Sequence, residues 1–158
     1  VPFDDIPLRE SALGNDVEFL AIKLFSAGTQ RANDALFPLD LRVRLYSVLA
    51  LASSGARPSQ RDLAEFLFLD PSQIVALVSE LEKRALVARE VDPADRRSKV
   101  IVATPSGMEV FQKALAATKA AQEVTLAPLS EDERDTLRAL LRKVVFGARN
   151  DNQGNVTE

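Results

Sequence analysis

Apolar side chains recur along this chain in two rhythms, and the places where one gives way to the other mark its elements. From Asn15 onward, Val17, Leu20, Ala21, Leu24, Phe25, Ala32, Ala35 and Leu36 come mostly at three- and four-residue steps, which predicts an amphipathic helix ending before Pro38. Asp40 reads as the cap of a second helix carrying Leu41, Leu45, Val48, Leu49 and Ala52, closed by Ser54 and Gly55. Ser59, with Asp62 three residues on, has the form of a capping box and opens a short helix through Leu63, Ala64 and Leu67. After a turn at Phe68 and Leu69, Asp70 caps a further helix with Pro71 at its first position, where a missing amide hydrogen costs nothing. Ile74, Leu77, Val78 and Leu81 form one face of it, leaving Ser72, Gln73, Ala76, Ser79, Glu80 and Lys83 outside.

The rhythm then changes. Leu86 to Val91 and Lys99 to Ala103 are short and rich in Val and Ile, and between them runs the charged loop Asp92, Pro93, Ala94, Asp95, Arg96, Arg97, Ser98, Lys99, the pattern of a β-hairpin with a long tip. Thr104 and Pro105 open a long helix whose stripe includes Met108, Phe111, Ala114 and Leu115. Ser130 and Glu133 open another, carrying Leu137, Leu140, Leu141, Val144 and Val145. Helix, tight turn, helix, strand, charged loop, strand is the order of a winged helix-turn-helix. The fold class expected is mainly α with a small β-hairpin wing, flanked by N- and C-terminal helices that serve dimerisation. The predicted boundaries are an N-terminal arm without firm structure at 1–14, a helical dimerisation region at 15–37 and 105–148, the winged domain at 40–104, and a flexible tail at 149–158.

Composition narrows the chemistry. The 158 residues include no cysteine and no histidine, which argues against disulfides, thiolate nucleophiles, Ser-His relays, thiol redox sensing and the usual zinc or copper sites. No glycine-rich phosphate loop is present either, so an enzyme is not expected, and neither is a cofactor or a bound metal. No apolar run approaches the roughly 20 residues of a membrane span and no secretory signal pattern is visible, so the expected location is the cytoplasm. The net charge of −3 is unevenly spread: residues 1–41 hold 3 basic and 7 acidic side chains, residues 42–104 hold 10 and 8, and residues 105–158 hold 7 and 8. Only the middle is positive, and phosphate binding depends on that local surface, not on the total.

Four short motifs, in order, resemble the MarR family of bacterial transcriptional regulators: S-Q-R-D-L-A at 59–64, L-D-P-S at 69–72, L-E-K-R-A-L-V at 81–87, and the wing D-P-A-D-R-R-S-K at 92–99, followed by T-P-S-G at 104–107. The similarity runs from about Asn15 to Phe146. It implies a homodimer with interlocked terminal helices, whose two winged domains address the halves of a pseudo-palindromic double-stranded DNA operator; long amphipathic termini independently call for a two-fold partner. In the wing it implies that Arg97 enters or skirts the minor groove, with Asp95 orienting its guanidinium and Arg96 and Lys99 beside the phosphates. In the helix-turn-helix the expected contacts are Arg61 as a phosphate clamp, Ser72 and Gln73 at phosphate or an adenine edge, Ala76 against a thymine methyl, and Lys83 on the outer face. Val75, Ala76 and Glu80 depart from the polar or basic residues many members carry there, so direct base reading is expected to be thin. Ala85 stands where the family usually has glycine, and a left-handed conformation there would cost roughly 1 kcal/mol.

The resemblance also implies a repressor released by a small aromatic or organic-acid effector. Phe25 and Thr29 on the first long helix, with Arg42, Leu45 and Tyr46 on the second, are the candidate lining: an aromatic wall with an arginine suits a carboxylate. The competing reading is a winged-helix protein-interaction module without specific DNA binding, which the acidic total and the neutral outer face of the 71–83 helix favour.

Overall fold

The computed structural model describes residues 6–147, which cover every element predicted above. A single turn, α1 (Ile6–Arg9), and a 3-10 turn at Leu13–Asn15 precede α2 (Val17–Leu36), so part of the stretch expected to be an unstructured arm is helical. The tail at 149–158 lies outside the described residues. There follow a 3-10 turn at Phe37–Leu39, α3 (Val43–Ala52), α4 (Gln60–Leu67), α5 (Pro71–Lys83), β1 (Val87–Val91), β2 (Lys99–Ala103), α6 (Pro105–Thr125) and α7 (Glu131–Phe146). By compactness the chain divides into two units, Val1–Gln122 and Glu123–Glu158.

Local chemistry sets most of the boundaries. The Asp16 carboxylate accepts from the Phe19 amide at 2.8 Å and starts α2. Ser59 and Asp62 form the reciprocal box at α4, with 2.8 Å from the Ser59 amide to Asp62 Oδ2 and 3.2 Å from the Asp62 amide to Ser59 Oγ. Asp40 does not cap α3 as expected. It sits in the left-handed region (φ 52°) at the end of the Phe37–Leu39 turn, and the free Val43 amide at the start of α3 is met instead by Asn33 Oδ1 of α2 at 2.9 Å. A side chain ten residues upstream supplies what the local sequence does not.

The core of the first unit is built from Leu36, Leu41, Leu45, Val48 and Leu49, joined by Leu63, Ile74, Val78 and Leu81 from the helix-turn-helix, Leu86, Val87 and Ile101 from the hairpin, and Ala114 of α6. β1 and β2 pair antiparallel from Val87 opposite Ala103 to Val91 opposite Lys99. A short rung is added alongside the middle of β2, where the Ile101 amide donates to the Pro58 carbonyl at 2.8 Å and Ser59 bridges to Val100.

The terminal helices differ. α2 buries only Leu36, although Val17, Leu20, Ile22, Leu24 and Phe25 are all apolar, and α7 buries none of its residues although Leu140, Leu141, Val144, Val145 and Phe146 lie along it. Within the second unit, Arg134 of α7 donates to the Leu126 and Leu129 carbonyls and pairs with Glu123.

Candidate nucleic-acid interface

The turn between α4 and α5 depends on Phe68 taking a left-handed conformation (φ 52°), which lets the Leu69 amide return to the Ala64 carbonyl at 3.1 Å. α5 then buries Ile74, Val78 and Leu81 and presents Ser72, Val75, Ala76, Glu80 and Lys83 to solvent. Gln73 is half-buried, and its Oε1 accepts from the Asp70 amide at 3.2 Å. This cap engages one of the two lone pairs of Oε1 and fixes the direction of the side chain, which restricts the bidentate geometry that adenine recognition needs.

The far end of α5 is a complete Schellman closure with alanine in the glycine position. Ala85 has φ 54°, its amide donates to the Glu82 carbonyl at 2.8 Å, and the Leu86 amide donates to the Leu81 carbonyl at 2.9 Å. Three contacts hold this end in place. The Arg84 guanidinium donates to the carbonyls of Asp40 (2.6 Å) and Leu39 (3.0 Å), Thr104 Oγ1 donates to the Ala85 carbonyl (2.6 Å), and Gly107 is packed so closely that a β-carbon there would lie 1.9 Å from the Leu86 oxygen. Wing direction is therefore set by packing even without glycine at 85.

At the wing tip the Asp92 carboxylate accepts from the Ala94 amide (2.8 Å), while the Asp95 carboxylate accepts from the Arg97 amide (3.0 Å) and the Ser98 hydroxyl (3.0 Å). These bonds pull the Asp95 carboxyl below the usual aspartate range, the Arg97 amide contributing most. Asp95 thus acts on the backbone under Arg97 and not on its guanidinium, because a two-residue spacing inside a tight turn brings the amide, and not the long side chain, within reach. Arg96, Arg97 and Lys99 are exposed, and among the described residues the Arg97 guanidinium has no carboxylate partner. Arg61 is exposed on α4 and paired with Glu65 one turn on at 2.9 Å, a surface pair weak enough to exchange for a phosphate.

The expected effector residues are dispersed among different environments. Phe25 is 70% exposed on α2 with Thr29 half-buried one turn further on, and Arg42 is exposed at the start of α3. Leu45 belongs to the core, since it continues the Leu41 and Leu49 stripe. Tyr46 is half-buried, stacked on Phe111 with ring centroids 6.3 Å apart, and its hydroxyl lies 3.3 Å from that of Thr118. The sequence reading missed Arg89: in the middle of β1 its guanidinium pairs with Glu82 of α5 and donates to Gln60 Oε1 of α4 at 3.1 Å. A charged residue flanked at i±2 by Val87 and Val91 was the available signal.

A buried-faced α4–turn–α5 unit with an antiparallel wing defines a winged helix-turn-helix protein. The MarR family profile matches residues 44–98. A MarR-family transcriptional regulator from Rhodococcus sp. RHA1 is 39% identical, with 87% of this chain and 98% of that one aligned at a TM-score of 0.80. CouR from Rhodococcus jostii RHA1, solved with p-coumaroyl-CoA bound, is 38% identical over 94% of this chain and 99% of that one, with a TM-score of 0.79. A Thauera aromatica protein named as a regulator of the hcr operon is 33% identical over 100 residues, a match spanning 63% of this chain and 60% of that protein. The chain belongs to the MarR family of transcriptional regulators.

Proposed function

We propose that this protein is a homodimeric, ligand-responsive repressor that holds a pseudo-palindromic operator and releases it when an aromatic acid, or the coenzyme A thioester of one, binds. The observation that carries the reading is the wing: Arg96, Arg97 and Lys99 stand exposed on a tip whose backbone Asp95 braces, next to a helix that presents Ser72, Val75 and Ala76 beside the opposed charges of Glu80 and Lys83. Such a surface binds mainly through phosphate and minor-groove contacts, with Ser72, Gln73, Ala76 and Lys83 adding positioning and only limited base discrimination.

Dimerisation through 15–37 and 105–148 is supported by the apolar side chains that α2 and α7 leave exposed in the single chain. The winged domain at 40–104 would then be presented twice, at half-sites about one DNA turn apart. CouR's bound p-coumaroyl-CoA supports an aromatic thioester or acid as effector here, with Phe25, Thr29, Arg42 and Tyr46 as candidate contacts and Leu45 behind them. A coupling of about 1–3 kcal/mol between effector and DNA would change occupancy about 5- to 150-fold. Action in the cytoplasm follows from this role.

The test is binding of the purified protein to the DNA upstream of its own gene at low and moderate salt, with Arg97→Ala alongside, followed by titration with p-coumaroyl-CoA and p-coumarate. Saturable, salt-sensitive binding that collapses in the variant and is relieved by a titrant supports the reading. Binding no better than to random DNA, repeated with a randomised DNA pool, would favour the protein-interaction reading instead.

A further inference from the structure

A two-stranded hairpin is marginal by itself, so something must set the angle of this wing over α5. The side-by-side rung at Pro58 and Ser59 reaches β2 only at Val100 and Ile101, opposite Glu90 and Arg89, and ties that strand to the segment just before α4 and not to α5. The tip is braced by bonds internal to residues 92–98. On the other strand, directly opposite Ile101, lies Arg89, on the same strand face as the core residue Val87. Its guanidinium meets the Glu82 carboxylate in the last turn of α5 and, through Nε, Gln60 Oε1 at the first residue of α4. Both charged side chains are only about a quarter exposed, 28% and 27%. A planar guanidinium with a fixed fork of donors holds such partners in one geometry better than an ammonium can. A second pair, Arg57 with Glu90 at 2.7 Å, ties the opposite strand face but is well exposed on both sides.

The three elements that Arg89 joins are those that carry the proposed DNA contacts: α4 with Arg61 next to Gln60, α5 with Ser72 and Ala76, and the wing with Arg97. We propose that Arg89 is a positioning residue, which fixes the height of the wing over the reading helix and so decides whether Arg97 and α5 engage DNA together. This rests on the DNA-binding reading, and Glu82 then serves Arg89, not a base.

The test uses two readouts. With no native cysteine in the chain, Ala76→Cys and Ala94→Cys place two spin labels, one on α5 and one on the wing tip. Measured with labelled chains diluted into an excess of unlabelled protein, so that a dimer carries one labelled subunit, their distance distribution is expected to be single and narrow, to broaden in Arg89→Met and Glu82→Gln, and to narrow again in the exchanged pair Arg89→Glu with Glu82→Arg. On operator DNA, Arg97→Ala is expected to weaken binding about tenfold or more in the native background and by less than about threefold with Arg89→Met, while the effect of Arg61→Ala stays the same in both. Thermal melts separate these effects from unfolding, and Glu82→Gln, which keeps an acceptor, stands in if Arg89→Met does not fold. An unchanged distance distribution together with an undiminished Arg97→Ala effect overturns the proposal. If the native protein binds no DNA, the regulator reading fails by itself and the label distances alone decide the role of Arg89.

Discussion

Asp95 holds Arg97 by its backbone: Oδ1 accepts from the Arg97 amide at 3.0 Å while Oδ2 takes the Ser98 hydroxyl at 3.0 Å, leaving the guanidinium to reach outward. Asp95→Ala should therefore lower DNA affinity several-fold without moving the melting temperature, because the tip is exposed and outside the core. Asp95→Asn, which keeps one acceptor oxygen, should lose less. Fluorescence anisotropy on operator DNA checks both; an Asp95→Ala variant that binds as well as the native chain contradicts the role given to this side chain.

The same contact fixes a pH dependence. Because these hydrogen bonds lower the Asp95 pKa in the folded chain, their contribution is fully present above the ordinary aspartate value of about 3.9 and is lost only as pH falls through the lower folded value. Asp62, lowered by its bonds from Ser59, follows the same sign. Wing order and the start of α4, followed by amide NMR signals of Arg97 and Ser59, should hold from neutral pH down to about 4.5; earlier loss would contradict the assignment.

Ala85→Gly should stabilise the protein by about 0.5–1 kcal/mol, since a left-handed φ of 54° costs alanine what glycine does not pay. The expected rise in melting temperature is about 1–4 °C. A lower melting temperature would show that chain entropy outweighs the relieved strain.

Gly107→Ala should act in the opposite direction. The added β-carbon would lie 1.9 Å from the Leu86 carbonyl oxygen and 2.8 Å from its carbon, so backbone must move, at a cost of about 1–3 kcal/mol. Calorimetry reads the loss, and DNA binding should suffer as well, because α6 and the root of the wing separate at this contact.

Val144→Asp and Phe25→Glu place charge on apolar surface that the single chain leaves exposed, at 77% and 70%. In the homodimer proposed above, each should shift the protein toward monomer in sedimentation while leaving the helical circular dichroism signal largely intact. A variant that remains dimeric would move the interface elsewhere.

Much of this protein was legible one element at a time. The capping boxes at Ser59 and Ser130, Pro71 and Pro105 at helix starts, and the switch from helical to alternating periodicity near Leu86 act within four residues, so the limits of α4, α5, the wing and α7 could be read directly. The exposed basic tip was legible for the same reason: seven residues between two short strands, all but Ala94 charged or turn-forming, have nowhere to be but outside.

Where local rules competed, the sequence was less decisive. Asp40 has the chemistry of a cap, yet it ends one helix in a left-handed turn while Asn33 caps the next from α2. Leu45 fitted the apolar stripe of its helix and was also a candidate for the ligand wall, and the structure places it in the core. The chain by itself determined helix ends, turn positions and the sign of the middle segment's charge, because those depend on neighbours in sequence. Only the tertiary structure decided that Arg89 reaches Gln60, twenty-nine residues away in the chain, and that Arg84 reaches Leu39, forty-five away. Such partners are set by how the whole core closes, and no local pattern carries that information.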